Sequence, residues 1–237
     1  MDQRLIDIAS AVARLEPGLH GHETAQRAAI DADWERRIAA NPTLFNGDTV
    51  LGTRWSVTGD GLEIACRKTD YATLIHWLST PGANTDSGSL LGGEAVHFFA
   101  NAVITGSDGK VVMGRMAGHT FNAGRVYMPS GSFDPDDFIG GVADFAGNMR
   151  REVAEETGVD LGEAEAGNWS AVVGKGRIAV FRPYRFEVPA EELAERARKW
   201  LATEGDGELS EILTIQPGET HADMPSHVAL YMQTAGA

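Results

Sequence analysis

Apolar positions along the 237-residue chain recur with three rhythms, and each rhythm predicts a different kind of element. Leu5, Ile8, Val12 and Leu15 fall at helical spacing until Pro17-Gly18 breaks the run, which predicts a first helix. A second helical pattern extends from about His22 to Ala40. It stops before Asn41-Pro42, because a residue preceding proline avoids the helical region. From Thr43 to Ile64 the alternation is loose and is punctuated by Asn46-Gly47 and Gly59-Asp60, predicting short strands with turns. Thr69 to Leu78 reads as another helix, and Pro81 to Gly93, rich in Gly, Ser, Asn and Asp, as loop. Val96 to Thr105 is apolar and β-rich, Ser107-Asp108-Gly109-Lys110 is a hairpin turn, and Val111 to Arg115 is the return strand. Beyond a helix around residue 150, Trp169 to Val173 and Ile178 to Val188 read as strands. Glu191 to Leu201 then reads as a helix, Ile212 to Ile215 as a strand and Ser226 to Gln233 as a closing helix. That order implies an α/β (α+β) fold in which a mixed sheet is sandwiched between helices.

Composition narrows the setting. With 43% hydrophobic and 23% charged residues, the chain matches an ordinary globular protein. A net charge of −14 argues against nucleic acid bound on a basic face, so an anionic ligand needs a metal or a local basic cluster. The lone Cys66 excludes an internal disulfide framework, fits a reducing cytoplasm and reads as a small buried residue. The opening Met-Asp-Gln-Arg-Leu lacks the apolar core of a signal peptide, and no run approaches the roughly twenty apolar residues of a membrane span. A cytoplasmic protein with neither a nucleic-acid nor a membrane partner is expected. The histidines show no H-E-x-x-H spacing, and neither a phosphate-binding G-x-x-x-x-G-K-[ST] loop nor a G-x-S-x-G elbow is present, which argues against zinc, kinase and serine-hydrolase chemistry.

Candidate chemistry concentrates at Arg151-Glu152-Val153-Ala154-Glu155-Glu156-Thr157-Gly158-Val159. On a helix, Glu152, Glu155 and Glu156 stand at i, i+3 and i+4 and share a face, while Met149, Val153 and Ala154 can face a core. Asp144 is placed to cap the start and Gly158 to end the helix in a left-handed turn. Three like charges on one face repel unless a cation or a basic partner compensates them. Hard cations such as Mg²⁺ or Mn²⁺ take oxygen ligands of this kind and engage phosphates at the same time. Pyrophosphate hydrolysis needs that combination of charge neutralisation and an activated water in line.

The same stretch resembles the second half of the Nudix box, G-x5-E-x7-R-E-U-x-E-E-x-G-U, with U a bulky aliphatic residue, and Pro129-Ser130-Gly131 resembles the loop that opens it. The first half departs from the pattern. Five residues lead from Gly131 to Asp137, which stands in for the first glutamate, and thirteen rather than seven then separate it from Arg151. An insertion carrying the Gly140-Gly141 turn accounts for the difference. The resemblance implies a Nudix-type α/β/α sandwich over residues 93–237, preceded by a helical and β extension over 1–92. It also implies Glu155 and Glu156 as metal ligands, Glu152 as ligand or water-orienting base, and Arg151 as a tether for one of these carboxylates. The Ser130 carbonyl and Asp137 complete the metal shell in this reading, and Glu208, favoured over Glu211, supplies a late acidic residue. Arg115 and Arg125 flank the approach to the box and are candidate phosphate contacts, as His119 is for the substrate. Gly174-Lys175-Gly176-Arg177 reads most simply as a hairpin tip.

A second resemblance bears on the substrate. Asn41-Pro42-Thr43-Leu44-Phe45-Asn46-Gly47, the Tyr71-to-Trp77 helix, the acidic Glu204-to-Ile215 stretch and Pro225-Ser226-His227-Val228-Ala229-Leu230-Tyr231 are similar to the animal UDP-glucose/UDP-galactose diphosphatases of that superfamily. The expected ligand is thus a small nucleoside diphosphate derivative, with a UDP-sugar first, cleaved to UMP and a sugar 1-phosphate. ADP-ribose is the alternative substrate, and a non-catalytic nucleotide-binding protein the alternative class. Trp55, Tyr71, Phe121 and Tyr127 are the candidates for stacking the base. A homodimer is the expected assembly, from the N-terminal helices and an exposed sheet edge.

Overall fold

The computed structural model describes residues 3–80, 92–203 and 207–235. It opens with two short strands, β1 (Arg4–Ile8) and β2 (Ser10–Leu15), where the apolar spacing predicts a helix. The reason lies in which positions are buried. Leu5 faces one core while Ile6 and Ile8 face the other, and Ala11, Ala13 and Leu15 repeat the alternation in β2. That is a period of two. Small alanines carry half of it, so the larger Leu5, Ile8, Val12 and Leu15 mimic a helical repeat.

Helix α1 (Gly21–Ala40) runs as expected and ends at Asn41, which is extended ahead of the proline. The loosely alternating region forms one long hairpin rather than several short strands, β3 (Asp48–Thr58) and β4 (Gly61–Asp70), turned at Gly59-Asp60. Asn46-Gly47 is not a hairpin turn. The Asn46 side chain instead accepts a hydrogen bond from the Ala72 N–H at 2.7 Å, at the start of α2 (Tyr71–Ser79), which Asp70 also caps. The expected loop over Pro81 to Gly93 lies outside the described residues except at its end, where Gly92–Gly93 forms the short strand β5.

The remaining elements follow in order. They are β6 (His97–Thr105), β7 (Val111–Met116), β8 (Val126–Tyr127), β9 (Ser130–Ser132), β10 (Phe138–Ile139), β11 (Val142–Ala143) and α3 (Phe145–Thr157). After these come β12 (Glu165–Ala166), β13 (Trp169–Gly174), β14 (Arg177–Arg185), α4 (Ala190–Thr203), β15 (Leu209–Ile215) and α5 (Ser226–Ala235). Residues 204–206 of the acidic stretch before β15 lie outside the described residues.

Two sheets result. The larger runs β1-β13-β14-β6-β7-β15, with β8, β9 and β12 paired onto β7, β6 and β14. It is mixed, because β14 and β6 are parallel while their neighbours are antiparallel. Strand β6 shows why its sequence is apolar throughout. Phe98, Ala100, Ala102 and Ile104 face the α3/α4 core with Phe145, Met149, Val153 and Leu193, whereas Phe99 and Val103 face the α5 core with Val228, Tyr231 and Met232. Helices therefore cover both faces, giving the expected α/β/α sandwich. The smaller sheet runs β10-β11-β2-β4-β3-β5 and contributes Val50, Trp55, Leu62 and Ile64 to the α3/α4 core.

Residues on the two sides of position 92 are interwoven. β1 forms the outer strand of the large sheet beside β13. The extra residues of the box form the β10–β11 hairpin, with Gly140 (φ 59°) and Gly141 (φ 81°) supplying the left-handed turn that L side chains avoid. This hairpin joins the small sheet through β2, and the Leu15 N–H donates to the Gly141 carbonyl at 2.9 Å. Among the described residues, no helix is long and apolar enough to cross a membrane.

Candidate active site

Helix α3 carries the candidate carboxylates, and its ends are set as the sequence predicts. Asp144 accepts from the Gly147 N–H at 2.8 Å, and Gly158 closes the helix in the left-handed region. Met149 and Val153 are buried, but Ala154 is exposed and does not face the core. The three glutamates have unlike surroundings. Glu155 is exposed, Glu152 is largely covered, and Glu156 is buried at 4% exposure on the side of α3 turned into the molecule.

Arg151 organises this group. Its guanidinium reaches both oxygens of Asp137 at 3.1 Å, Glu152 Oε1 at 2.8 Å and Glu155 Oε2 at 3.2 Å. Asp137 also accepts from the Asn148 amide at 3.0 Å and from the Asp134 N–H at 3.1 Å, and with Asp134 it closes the turn Pro135–Asp137. The inserted hairpin thus returns Asp137 to Arg151 despite thirteen intervening residues. Its oxygens are occupied by these donors, so it acts as the anchor of Arg151.

The β9 strand brings its backbone against Glu152. A Cβ added to Gly131 would lie 2.0 Å from the Glu152 carboxyl carbon, so only glycine admits this approach. Burial, with the nearby Glu155 and Asp137 charges and against the pull of Arg151, pushes the Glu152 carboxyl up to about 7. For Arg151, burial disfavours the cation, yet the Glu152, Asp137 and Glu155 carboxylates outweigh it and raise its pKa.

The oxygen groups at this end of the cleft are hard donors: the Glu152 carboxylate, held by Arg151, and the Ser130 carbonyl on the strand that cradles Glu152, with Glu156 one turn further along α3. Among the described residues, no three His, Cys, Asp or Glu side chains converge into a metal-holding group. Mg²⁺ commonly uses one or two carboxylates and completes its shell with water and substrate phosphate, so the donor set fits such an ion.

A cavity of about 490 Å³ opens around Asp137, Asp144 and Glu155, and two others lie on the two sides of strand β9. One, of about 250 Å³, is lined by Arg151, Glu152, Asp48, Tyr71, Ser132 and Phe45, whose ring is 81% exposed. The other, of about 390 Å³, shares Tyr71 and Ser132 with it. Its apolar wall comes from the extension, through Tyr71, Leu74, Ile75 and Leu78 of α2. Arg125, Tyr127, Arg177 and His227 line its polar side.

Of the other sequence candidates, Arg125 lines the larger cavity, whereas Arg115 lines neither. Arg115 is held by Glu211 at 2.7 Å and Asp223 at 2.8 Å, tying β7 to β15 and to the segment before α5. Glu211 is thereby committed, while Glu208 lies close enough to Tyr71 to help burial raise its phenol pKa. Trp55 belongs to the core, whereas Tyr71, Phe121 and Tyr127 line the larger cavity. His119 offers its carbonyl to the Asn41 side chain at 3.1 Å. Cys66 is buried, and burial pushes its thiol up to about 12. Sequence reasoning passed over Phe45, Arg177 and His227 as site residues. Phe45 lies within the Asn41-to-Gly47 stretch and is marked only by its exposure; Arg177 and His227 are brought together by pairings far apart in the chain.

No family model matches the chain, and no curated protein matches it. Solved structures do. The MutT protein from Methanosarcina mazei Go1 aligns at 16% identity over 59% of this chain and 92% of its own, with a TM-score of 0.43. The Nudix hydrolase RenU from M. smegmatis aligns at 14% identity over 60% of this chain and 86% of its own, with a TM-score of 0.42. The Nudix domain of Shewanella oneidensis NrtR, solved with ADP ribose, aligns at 16% identity over 68% of this chain and 95% of its own, with a TM-score of 0.39. At these values the bearing on function comes from the residues of the site.

Proposed function

We propose that the protein is a divalent-cation-dependent Nudix-type hydrolase that cleaves the pyrophosphate of a nucleoside diphosphate linked to another moiety, releasing two monophosphates. The observation that carries this reading is the Arg151 network, which fixes Glu152 against the Gly131 backbone and anchors itself on Asp137. A purely structural ion pair does not require a strand backbone shaped around one carboxylate.

Glu152 and Glu156, with the Ser130 carbonyl, would hold Mg²⁺ or Mn²⁺, and Glu155, exposed at the rim, would join them once Arg151 releases it. The bound cation supplies charge neutralisation on the phosphoryl oxygens and acidifies water. Glu152, walled in beside the cleft, orients the attacking water and takes its proton. Arg151 keeps Glu152 in place rather than touching substrate. Glu208, whose charge reaches Tyr71, is the late acidic group assigned to water activation. Phe45 and Tyr71 flank the cleft and present rings for a base or sugar.

The Asn41-to-Gly47 motif bears Phe45 on the cleft wall, which supports a UDP-sugar as the substrate. ADP-ribose, the ligand named with the NrtR domain, is the rival. A panel of nucleotides assayed for Mg²⁺-dependent phosphate release, with and without phosphatase coupling, tests the reaction. Values of kcat/KM for UDP-glucose, UDP-galactose and ADP-ribose then rank the substrates, and a preference for ADP-ribose overturns the UDP-sugar assignment. Homodimerisation along the outer edge of β15 is part of the proposal, and sedimentation as a monomer at micromolar concentration contradicts it.

A further inference from the structure

The larger cavity and Glu152 flank strand β9 from its two sides, and the cavities on those sides meet at Tyr71 and Ser132. Along β9, Gly131 presents to Glu152 on the α3 side, while Ser132 turns the other way and its hydroxyl meets His97 Nε2 at 3.1 Å. His97 and Phe99 share that second face, and Phe99 packs edge-on to His227 of α5.

The cavity's electrostatics are unusual for this chain. The sequence contains 34 Asp and Glu, yet none is among the described residues that line it. Arg125 stands at its mouth, near enough to Asp223 for their charges to attract, and Arg177 is half-buried within it; neither makes an ion pair or a side-chain hydrogen bond among the described residues. Elsewhere Arg27, Arg37, Arg115, Arg151, Arg196 and Arg198 hold carboxylates, and Arg4, Arg14 and Arg185, which hold none among the described residues, are exposed, unlike Arg177. Burial holds Arg177 below its ordinary pKa, offset only by the Tyr127 phenol. Burial together with the Arg177 charge pushes His227 down to about 4, so its ring is neutral at pH 7 and can donate one hydrogen bond. Two ring nitrogens, His227 Nε2 and His97 Nδ1, are buried without a protein partner. Unpaired guanidinium and unsatisfied buried nitrogens carry a cost unless a ligand completes them.

We propose that this cavity is an oxyanion subsite in which Arg125, Arg177 and His227 receive a phosphate-class group of the ligand other than the phosphoryl group under attack. It rests on the hydrolytic reading only in assigning that group to the substrate. The apolar wall of Tyr71, Leu74 and Ile75 opposite these cations suits a ligand with a ring on one side and a charged oxygen cluster on the other.

The test uses inorganic phosphate with EDTA present, followed by NMR of the histidine rings in the full chain. Saturable shifts of His227 and His97 with a Kd of roughly 1 mM are expected, the scale of a few charge-assisted hydrogen bonds. Arg177→Gln should weaken binding by about tenfold or more, and Arg125→Gln, an exposed site with no fold to disturb, by less, while Glu152→Gln leaves it unchanged. Absence of saturable binding in the unaltered protein, unchanged binding in both arginine variants, or loss in Glu152→Gln overturns the proposal. Phosphate binding lost in Arg177→Gln, with no nucleotide turned over by the unaltered protein, keeps the subsite and removes the hydrolytic reading. The converse, turnover with phosphate binding indifferent to both arginines, removes the subsite and keeps the reaction.

Discussion

At the scale of single residues, the site is defined by close approach. Gly131 exists as glycine because the Glu152 carboxyl occupies the space of a side chain. Gly131→Ala should therefore displace Glu152 and lower kcat by about 100-fold, since a misplacement of about 1 Å costs that much in a positioned reaction. Steady-state kinetics beside thermal unfolding checks this; unchanged turnover contradicts the cradle. His227 gives a second residue-scale expectation. Its folded pKa of about 4 lies below the ordinary 6.5, so the unfolded chain binds more protons between those values. The stability tied to this ring is present above that window and is lost as pH falls through it. Tm should fall as pH drops from about 7 to about 5, less steeply in His227→Phe, and equal slopes contradict the assignment.

At the scale of elements, the inserted β10–β11 hairpin is the departure that matters. It returns Asp137 to Arg151 and pins the start of α3 to the small sheet. Gly141→Ala forces a side chain into φ 81° and should cost about 1–2 kcal/mol, read as a lower urea midpoint with m unchanged. Much of α3 was legible from sequence because its signals are local: the Asp144 cap, the Gly158 stop and the carboxylate spacing. Strand β6 was legible because burial on both faces leaves a continuous apolar run. Strands β1 and β2 were not, since their inward alanines are silent and the visible large residues match a helix. Arg177 and Asp137 show the two sides of this. Asp137 could be found by counting from Gly131 in a known pattern. Arg177 became a cavity residue only through the parallel register that sets it beside His97, a pairing across eighty positions that no local spacing encodes.

At the scale of the whole molecule, the extension belongs to the site as well as to the fold. It supplies Tyr71, Leu74 and Ile75 to one cavity, Phe45 to the other, and β1 to the large sheet. A chain beginning at residue 93 should therefore fail to fold cooperatively, because Phe98 and Phe133 would lose Val50, Leu62 and Ile64 from their shared core. A cooperative unfolding transition of the 93–237 fragment by circular dichroism contradicts this. The central claim is that the Arg151-centred carboxylates run a cation-dependent hydrolysis. Its most direct measurement is the Mg²⁺-dependent turnover of the best nucleotide diphosphate derivative by the unaltered protein and by Glu156→Gln, an isosteric change at a buried position. The account expects turnover that vanishes with EDTA and drops by roughly 100-fold or more in Glu156→Gln, with Tm little changed. Undiminished turnover by Glu156→Gln would contradict it.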